Sequence, residues 1–321
     1  MAYSERMRTI IATTSVAMLA LAGCAADGDS AAEADLTVVA TTTVWGSIVG
    51  QVVECAGEGE ALTLMPVGAD PHDYAPSAKD VATMVNATVV FANGLGLEEG
   101  LAPALDSAAQ DGATIVELAP SLQPIPFSQA DADDDHSGDD HADDDHSGDD
   151  PHVWLDMSRA ATAATIIGED LAAQTSNDAF AACGQEVAED IRTAEEELLQ
   201  TLAAVPQEQR ILVTDHDALG YFAEAYDFEI AGVVVPGGST LAEPSSAELA
   251  ALTETIEETG VTAVFSNVAV SSDAVDAVAA EVGEIAVVPL FVGSVGEPGT
   301  PAEDYQGMML FNADAIAEAL A

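Results

Sequence analysis

The sequence predicts an α/β protein of two similar lobes with parallel-type sheets, joined by one long rigid helix. Short apolar runs alternate with helical patterns in each half of the chain, which is typical of parallel sheets covered by helices. A single longer helical pattern over 178–206 separates the two halves. The length of 321 residues also favours two cores, because one hydrophobic core stops growing at about 250–300 residues.

The first half, residues 36–177, contains four short apolar segments that we interpret as strands. In chain order these segments are LTVVATT, ALTLMP, TVVFANG and ATIVELAP. The helices predicted between them are VWGSIVGQVVE, SAKDVATMVNA and GLAPALDSAA, and AATAATIIGEDLAA forms the last helix of this half. We therefore expect this half to form one α/β lobe.

The second half begins after the predicted linking helix, which ends at Pro206 and has apolar residues at helical spacing: Val187, Ile191, Leu198 and Leu202. Residues 207–321 resume the alternation, with strands predicted at ILVTD, EIAGVVV, TAVFSN and EIAVVPL. Helices are predicted near 217–226, 245–259, 271–282 and 302–320. Ser245 and Glu248 form a capping-box pattern that indicates the start of one of these helices.

Residues 1–23 are typical of a bacterial lipoprotein signal peptide rather than of folded structure. Arg6 and Arg8 form its basic start, an apolar stretch too short to span a bilayer follows, and small residues precede Cys24. This pattern resembles a lipobox, in which Cys24 is acylated and becomes the mature N-terminus; an ordinary secretory peptide cleaved elsewhere is the alternative. Residues 24–35 are small and polar, so we predict a flexible tether that anchors an extracytoplasmic protein to the cell membrane.

The composition is strongly acidic, with 57 Asp and Glu residues against 6 Lys and Arg and a net charge of −51. This charge argues against nucleic acid and anionic membrane surfaces as partners and favours cations. Two cysteines remain beyond the lipidation site, Cys55 and Cys183. Outside the cytoplasm an even pair suggests one disulfide, although two distant sequence positions do not establish that the thiols meet.

One acidic stretch, residues 131–149, contains half of the histidines and is called the His/Asp-rich loop below. An eight-residue unit, DDDHSGDD, occurs twice in this region, and His136, His141 and His146 lie in or between the repeats. The loop carries almost no apolar side chains, so we predict that it is disordered. Acidic runs are usually only solvated segments, but histidines at this spacing favour weak metal capture.

The three other histidines each lie next to the end of a predicted element. His72 follows the strand ALTLMP, His152 precedes a helix, and His216 follows the strand ILVTD. Separate structural roles remain open for these rings, because they are far apart in sequence and only the fold can bring them together. If they share a site, three neutral nitrogen ligands suit zinc best among the common biological metals.

Two of these histidines occur in a repeated tripeptide, Asp-Pro-His. Proline fixes its own φ and restricts the residue before it, so it can hold the backbone of the next histidine in place. We hypothesise that the carboxylates in these tripeptides, Asp70 and Asp150, orient the two rings through their second nitrogen.

Six motifs follow one another along the chain: VVATTTVWGSIV, GADPHDYAPSAKD, VVFANGLGLE, DPHVWLD, LVTDHDALGYFAEAY and EPSSAELAALTETIEETGVTAVFSN. Together they resemble the solute-binding proteins of zinc and manganese ABC transporters, the ZnuA/TroA-like group. The resemblance covers nearly the whole chain after the tether. It implies two rigid lobes with a metal in the cleft between them, and delivery of that metal to a membrane permease powered by an ATPase.

The resemblance also implies, by position, that His72, His152 and His216 are the first three metal ligands. Manganese-preferring relatives often have Glu at the third position, so His216 points to the zinc branch, as does an acidic His-rich loop before the second ligand. Gly293 in FVGSVG departs from the pattern, since many relatives carry an Asp ligand there. At the fourth coordination position we expect water or a loop histidine, and Glu297 is an alternative.

These inferences favour a monomeric receptor for zinc uptake that performs no chemistry on its ion, with Zn²⁺ preferred over Mn²⁺. A catalytic zinc also fits three histidines with an open position, but the sequence has no H-E-x-x-H pattern and no Glu beside a ligand as an evident base. The remaining alternatives are a manganese or iron receptor of the same family, and a surface lipoprotein that buffers metal or acts as an adhesin.

Overall fold

The computed structural model describes residues 36–127, 148–235, 237–283 and 285–321. Outside them lie the predicted signal peptide, the tether and four residues with predicted roles: Cys24, His136, His141 and His146. The described residues form two α/β lobes, each built on a four-stranded parallel sheet, which confirms the predicted fold class. No helix among them is long and apolar enough to cross a membrane.

The N-terminal lobe contains four strands, all parallel, in the spatial order β2-β1-β3-β4. They are β1 (Thr37–Ala40), β2 (Glu60–Thr63), β3 (Val89–Ala92) and β4 (Ile115–Glu117). The helices are α1 (Thr43–Ala56), α2 (Ala78–Asn86) and α3 (Ala102–Gln110). β4 is shorter than the predicted strand, because the chain turns at a 3-10 helix containing Pro120, which has no N–H to donate to a sheet.

Two antiparallel helices connect the lobes, α4 (Met157–Thr175) and α5 (Ala179–Leu202). They cross closely at Gly168 and Gly184, where a Cβ atom on Gly168 would lie 2.5 Å from the carbonyl oxygen of Phe180. The predicted linking helix is therefore not an isolated spacer. It packs along α4 over much of its length, because glycines at the crossing let the two backbones approach.

The C-terminal lobe repeats the arrangement, with four parallel strands in the order β6-β5-β7-β8. They are β5 (Ile211–His216), β6 (Glu229–Val235), β7 (Ala263–Asn267) and β8 (Ala286–Leu290). The helices are α6 (Gly220–Tyr226), α7 (Ser246–Thr259), α8 (Asp273–Val282) and α9 (Tyr305–Leu320), and α7 begins with the predicted capping box. In each lobe the strand order reverses beside the first strand, and ligands of open parallel sheets bind at such points.

One hydrophobic core extends through both lobes, from Leu36 before β1 to Leu320 in α9. Within it the rings of Trp45 and Trp154 meet edge to face, with centroids 6.3 Å apart. The indole Nε1 of Trp154 also donates to the carbonyl oxygen of Val292 in the other lobe, at 2.8 Å. Two smaller apolar clusters lie elsewhere, one in each lobe. The lobes are therefore packed together and not merely tethered.

A disulfide joins Cys55 of α1 to Cys183 of α5, with Cα atoms 5.7 Å apart. The two cysteines are separated by 128 residues in sequence, so the bond closes a long loop and restricts the unfolded chain. It fastens the N-terminal lobe to the connecting helices.

Part of the predicted His/Asp-rich loop is described. Its residues 131–147 lie outside the described chain, but Gly148 and Asp149 are placed, and Asp149 forms an antiparallel bridge with Pro126. The predicted end of the loop at residue 149 is therefore too late, because pairing with Pro126 orders the chain before His152.

Candidate metal centre

The three histidines outside the His/Asp-rich loop lie together between the lobes. His72 follows β2 and His152 precedes α4 in the N-terminal lobe, whereas His216 is the last residue of β5 in the C-terminal lobe. One nitrogen of each ring lies within 4.8 Å of the other two. All three are buried, with at most 3% of their surface exposed. Among the described residues, this is the group of His, Cys and carboxylate side chains whose geometry can hold a metal ion.

The repeated Asp-Pro-His tripeptide forms the same turn at both positions. The backbone N–H of His72 donates to Asp70 Oδ1 at 3.0 Å, and the backbone N–H of His152 donates to Asp150 Oδ1 at 2.9 Å. An Asp side chain that bonds the backbone two residues later is a common local turn. The tripeptide therefore fixes the backbone from which each imidazole projects.

Carboxylates fix the ring orientation of two histidines. Asp150 Oδ1 lies 2.8 Å from Nδ1 of His152, and Asp215 Oδ1 lies 2.8 Å from Nδ1 of His216. An ionised carboxylate can only accept, so in that state each Nδ1 carries the proton and each Nε2 offers a lone pair. Nε2 of His72 lies 3.3 Å from Nε2 of His152, so these lone pairs converge where a cation can sit.

The hypothesis that both tripeptide carboxylates orient rings holds for Asp150 and is wrong for Asp70. The second oxygen of Asp70 accepts a hydrogen bond from the hydroxyl of Thr240 in the C-terminal lobe, and its first bonds only the backbone. Sequence reasoning also missed Asp215, whose second oxygen accepts the N–H of Asn267 at 2.7 Å. The signal was an Asp directly before a His at the end of a strand.

Burial and mutual repulsion keep two of the rings neutral. Burial is the largest cause that lowers the pKa of His72 to about 3, followed by the charges of His152 and His216. Burial also lowers the pKa of His152 well below its usual value. Neutral imidazoles are the form that binds metal, so both rings are ready as ligands at neutral pH.

The acidic neighbours change the balance at the third ring. Burial alone lowers the pKa of His216, but the charge and hydrogen bond of Asp215, together with the charges of Asp70 and Asp150, outweigh it, and the pKa is raised. Burial raises the pKa of Asp150 to about 8. A cation bound at the three rings favours the ionised forms of Asp150 and Asp215. The centre is therefore suited to bind a cation.

Comparison with known families gives the same architecture. The profile of the family described as "ZnuA: Zinc-uptake complex component A periplasmic" matches residues 38–319. The chain belongs to this family. Its members are the metal-binding solute-binding proteins of ABC transporters.

Relatives of this ZnuA-family chain include proteins named for different metals. The manganese-binding lipoprotein MntA of Halalkalibacterium halodurans is 28% identical over 309 residues, which are 95% of this chain and 96% of the relative. The zinc-binding protein TroA of Treponema pallidum is 29% identical over 302 residues, 91% of each chain. The solved structure of Treponema pallidum TroA, a periplasmic zinc-binding protein, matches with a TM-score of 0.77 at 26% identity, covering 89% of this chain and 99% of that one.

The resemblance to the ZnuA family predicts an Asp ligand at one further position, and this chain has Gly293 there. A Cβ atom on Gly293 would lie 2.8 Å from Cδ of Pro71, closer than side chains normally pack. Glu297, the alternative carboxylate, is exposed and is not part of the histidine cluster. Pro71 of one lobe thus packs directly on the backbone of the other beside His72.

Restoring the family's carboxylate by Gly293→Asp is expected to destabilise the protein rather than to complete the site. The new side chain must displace Pro71, and overpacking of this kind typically costs about 1–3 kcal/mol of the free energy of unfolding. Chemical denaturation of the metal-free variant measures this loss, with Gly50→Ala as control because a Cβ there meets nothing within 4 Å. Unchanged stability together with tighter metal binding would contradict the prediction.

Proposed function

We propose that this protein is the extracytoplasmic zinc receptor of a metal ABC importer. It binds one Zn²⁺ ion through Nε2 of His72, His152 and His216 and delivers the ion to a permease driven by an ATPase. The observation that carries the proposal is the convergence of three buried imidazoles, two of them backed by carboxylates 2.8 Å from Nδ1. Zinc sites in proteins are built in this way.

The preference for zinc over manganese rests on the donor atoms. Manganese favours carboxylate, carbonyl and water oxygens, whereas imidazole nitrogen suits zinc. Relatives named for manganese and for zinc are similarly close to this chain, so family membership does not choose between the metals. Three nitrogens without a carboxylate in the described cluster favour zinc. A receptor for manganese or iron is the alternative within the family.

The surroundings of the histidine cluster support a metal-binding receptor rather than a metalloenzyme. Two carboxylates beside the cluster, Asp150 and Asp215, each hold an imidazole Nδ1, and neither is therefore free to act as a general base. The family also consists of receptors. The fourth coordination position is proposed to take water or a histidine of the His/Asp-rich loop, whose other imidazoles collect zinc weakly.

The proposed attachment to the membrane is supported by the N-terminal sequence and by the relatives. Cys24 is the proposed acylation site, and residues 24–35 are the proposed tether between the lipid and the folded lobes. The relative MntA is named a lipoprotein. The receptor is proposed to act on the outer side of the cell membrane, as a monomer.

Competitive metal titration of the purified chain tests the proposal. We expect one tight site that retains zinc against an excess of manganese, and we expect the triple variant His72→Ala/His152→Ala/His216→Ala to lack it. A tight site that survives in the triple variant, or that prefers manganese, would contradict the zinc-receptor function. Growth of a deletion strain under zinc limitation separates uptake from metal buffering or adhesion, because only loss of uptake slows growth in that medium.

A further inference from the structure

We infer that Glu99 is a positioning residue of the metal centre: its carboxylate accepts the Nδ1–H of His72 when the ion binds, and so holds Nε2 of that ring toward the metal. The inference rests on the proposed function and deepens it. It concerns a residue in the turn between β3 and α3, outside the histidine cluster itself.

The three rings of the cluster are not held alike. His152 and His216 each have a carboxylate oxygen 2.8 Å from Nδ1. Nδ1 of His72, by contrast, is buried and has no hydrogen-bond partner among the described residues. Leaving a buried polar atom unsatisfied costs about 1–3 kcal/mol. This nitrogen therefore indicates a position that an acceptor is suited to fill.

Glu99 is the carboxylate that faces this nitrogen. Its Oε1 lies 3.7 Å from Nδ1 of His72, which is too long for a hydrogen bond but within reach of a change in side-chain rotamer. The side chain of Glu99 is 43% exposed, whereas that of His72 is only 4% exposed. Both residues line an open cavity of about 440 Å³, so the carboxylate has room to move and the ring does not.

The backbone that carries Glu99 is fixed relative to His72. The neighbouring Glu98 is buried and accepts hydrogen bonds from the hydroxyl of Thr41 and the N–H of Asn93, both at 2.7 Å. On the other side, a Cβ atom on Gly100 would lie 2.5 Å from the carbonyl oxygen of Tyr74. The turn thus packs directly on the segment that follows His72, and only the side chain of Glu99 has to move.

Metal binding supplies the reason for that movement. Coordination through Nε2 withdraws charge from the imidazole and makes its Nδ1–H a stronger donor, and carboxylates are the usual acceptors of such protons. The hydrogen bond fixes the tautomer that leaves Nε2 free for the ion. No proton is transferred and no bond is broken, so Glu99 acts on the ion only through His72.

Zinc titration of the full chain in competition with a chelator tests this role, with Zn²⁺ alone as the probe. Glu99→Ala is expected to weaken zinc binding by about 10–100-fold, the usual cost of losing an outer partner of a ligand. Glu99→Gln should recover part of this loss, because its amide oxygen accepts the same proton. Asp149→Asn is the matched control: the residue is exposed and lines the same cavity, so it removes an equal charge, and zinc affinity should stay close to wild type.

Nitrogen NMR of the zinc-loaded protein reports on the Nδ1–H of His72. Substitution of Glu99 would not change this signal if Glu99 had only a structural role. We expect a protonated Nδ1 on His72 in the wild type, a shifted Nδ1–H signal in Glu99→Gln, and faster exchange of that proton in Glu99→Ala. Equal zinc affinities for Glu99→Ala and Asp149→Asn, or coordination of zinc through Nδ1 of His72, would overturn the inference alone. A wild-type chain without a tight zinc site would overturn the proposed function, and this inference with it.

Discussion

The His152→Ala protein is expected to lose tight metal binding. His152 is the central ligand, with its ring centroid 5.4 Å from both other rings, and only 1% of its surface is exposed. Its removal leaves two nitrogen donors in the described cluster, fewer than the three protein ligands of a zinc site with an open position. The loss of affinity should exceed the roughly 10–100-fold cost of removing an outer partner of a ligand.

The same substitution is expected to weaken the metal-free fold modestly. Asp150 Oδ1 loses the ring nitrogen that it bonds at 2.8 Å and keeps only the backbone N–H of residue 152, and the loss of one hydrogen bond costs about 0.5–1.5 kcal/mol. Zinc titration measures the first effect, and chemical denaturation without metal measures the second. Near-ultraviolet circular dichroism confirms that the variant is folded before its affinity is interpreted. Tight zinc binding by a folded His152→Ala protein would refute the proposed ligand set.

Asp215→Asn is expected to weaken zinc binding by about 10–100-fold, although Asp215 does not meet the metal. In the wild type its two oxygens accept from Nδ1 of His216 and from the N–H of Asn267. An amide has one oxygen and one NH₂ group, so one of these two donors must then face another donor. The ring of His216 loses either its orientation or its preferred tautomer.

The pH dependence of binding distinguishes this effect from general damage to the site. The pKa of His216 is raised by Asp215 despite burial, so protons compete with zinc at a higher pH than for an ordinary buried histidine. Zinc affinity should therefore fall as the pH falls through the raised pKa. In Asp215→Asn the pKa of His216 drops, and the fall in affinity should begin at a lower pH.

The control for Asp215→Asn is Asp73→Asn, which removes one negative charge next to His72 from an exposed position. We expect its zinc affinity and pH dependence to follow the wild type. If both variants shift the pH dependence equally, the effect is one of overall charge, and the specific role of Asp215 is wrong.

The lobes and most helices could be predicted from the sequence because local patterns determine them. Alternating apolar runs, the capping box of Ser245 and Glu248, and Asp residues next to histidines are short-range signals. The meeting of the histidines is not local. It depends on how the two lobes pack against each other, which brings the end of β5 to face the segments after β2 and before α4.

The two Asp-Pro-His tripeptides show that local sequence does not determine every side-chain role. Asp70 and Asp150 make the same turn, and their sequence context predicts the same role for both carboxylates. Their roles differ: Oδ1 of Asp150 bonds both the backbone and the ring of His152, whereas Oδ1 of Asp70 bonds only the backbone of His72. The second oxygen of Asp70 instead accepts from Thr240, far along the chain. In the same way, neither the contact of Gly293 with Pro71 nor the distance between Glu99 and His72 has a signature in the sequence.

The continuous core that links the first strand to the last helix limits how this receptor can exchange its cargo. Domains joined by a large apolar interface do not swing apart freely, because opening exposes that surface to water. Ion entry and exit must therefore proceed through small rearrangements near the three histidine rings. The docked permease has to move a few side chains rather than separate the two lobes.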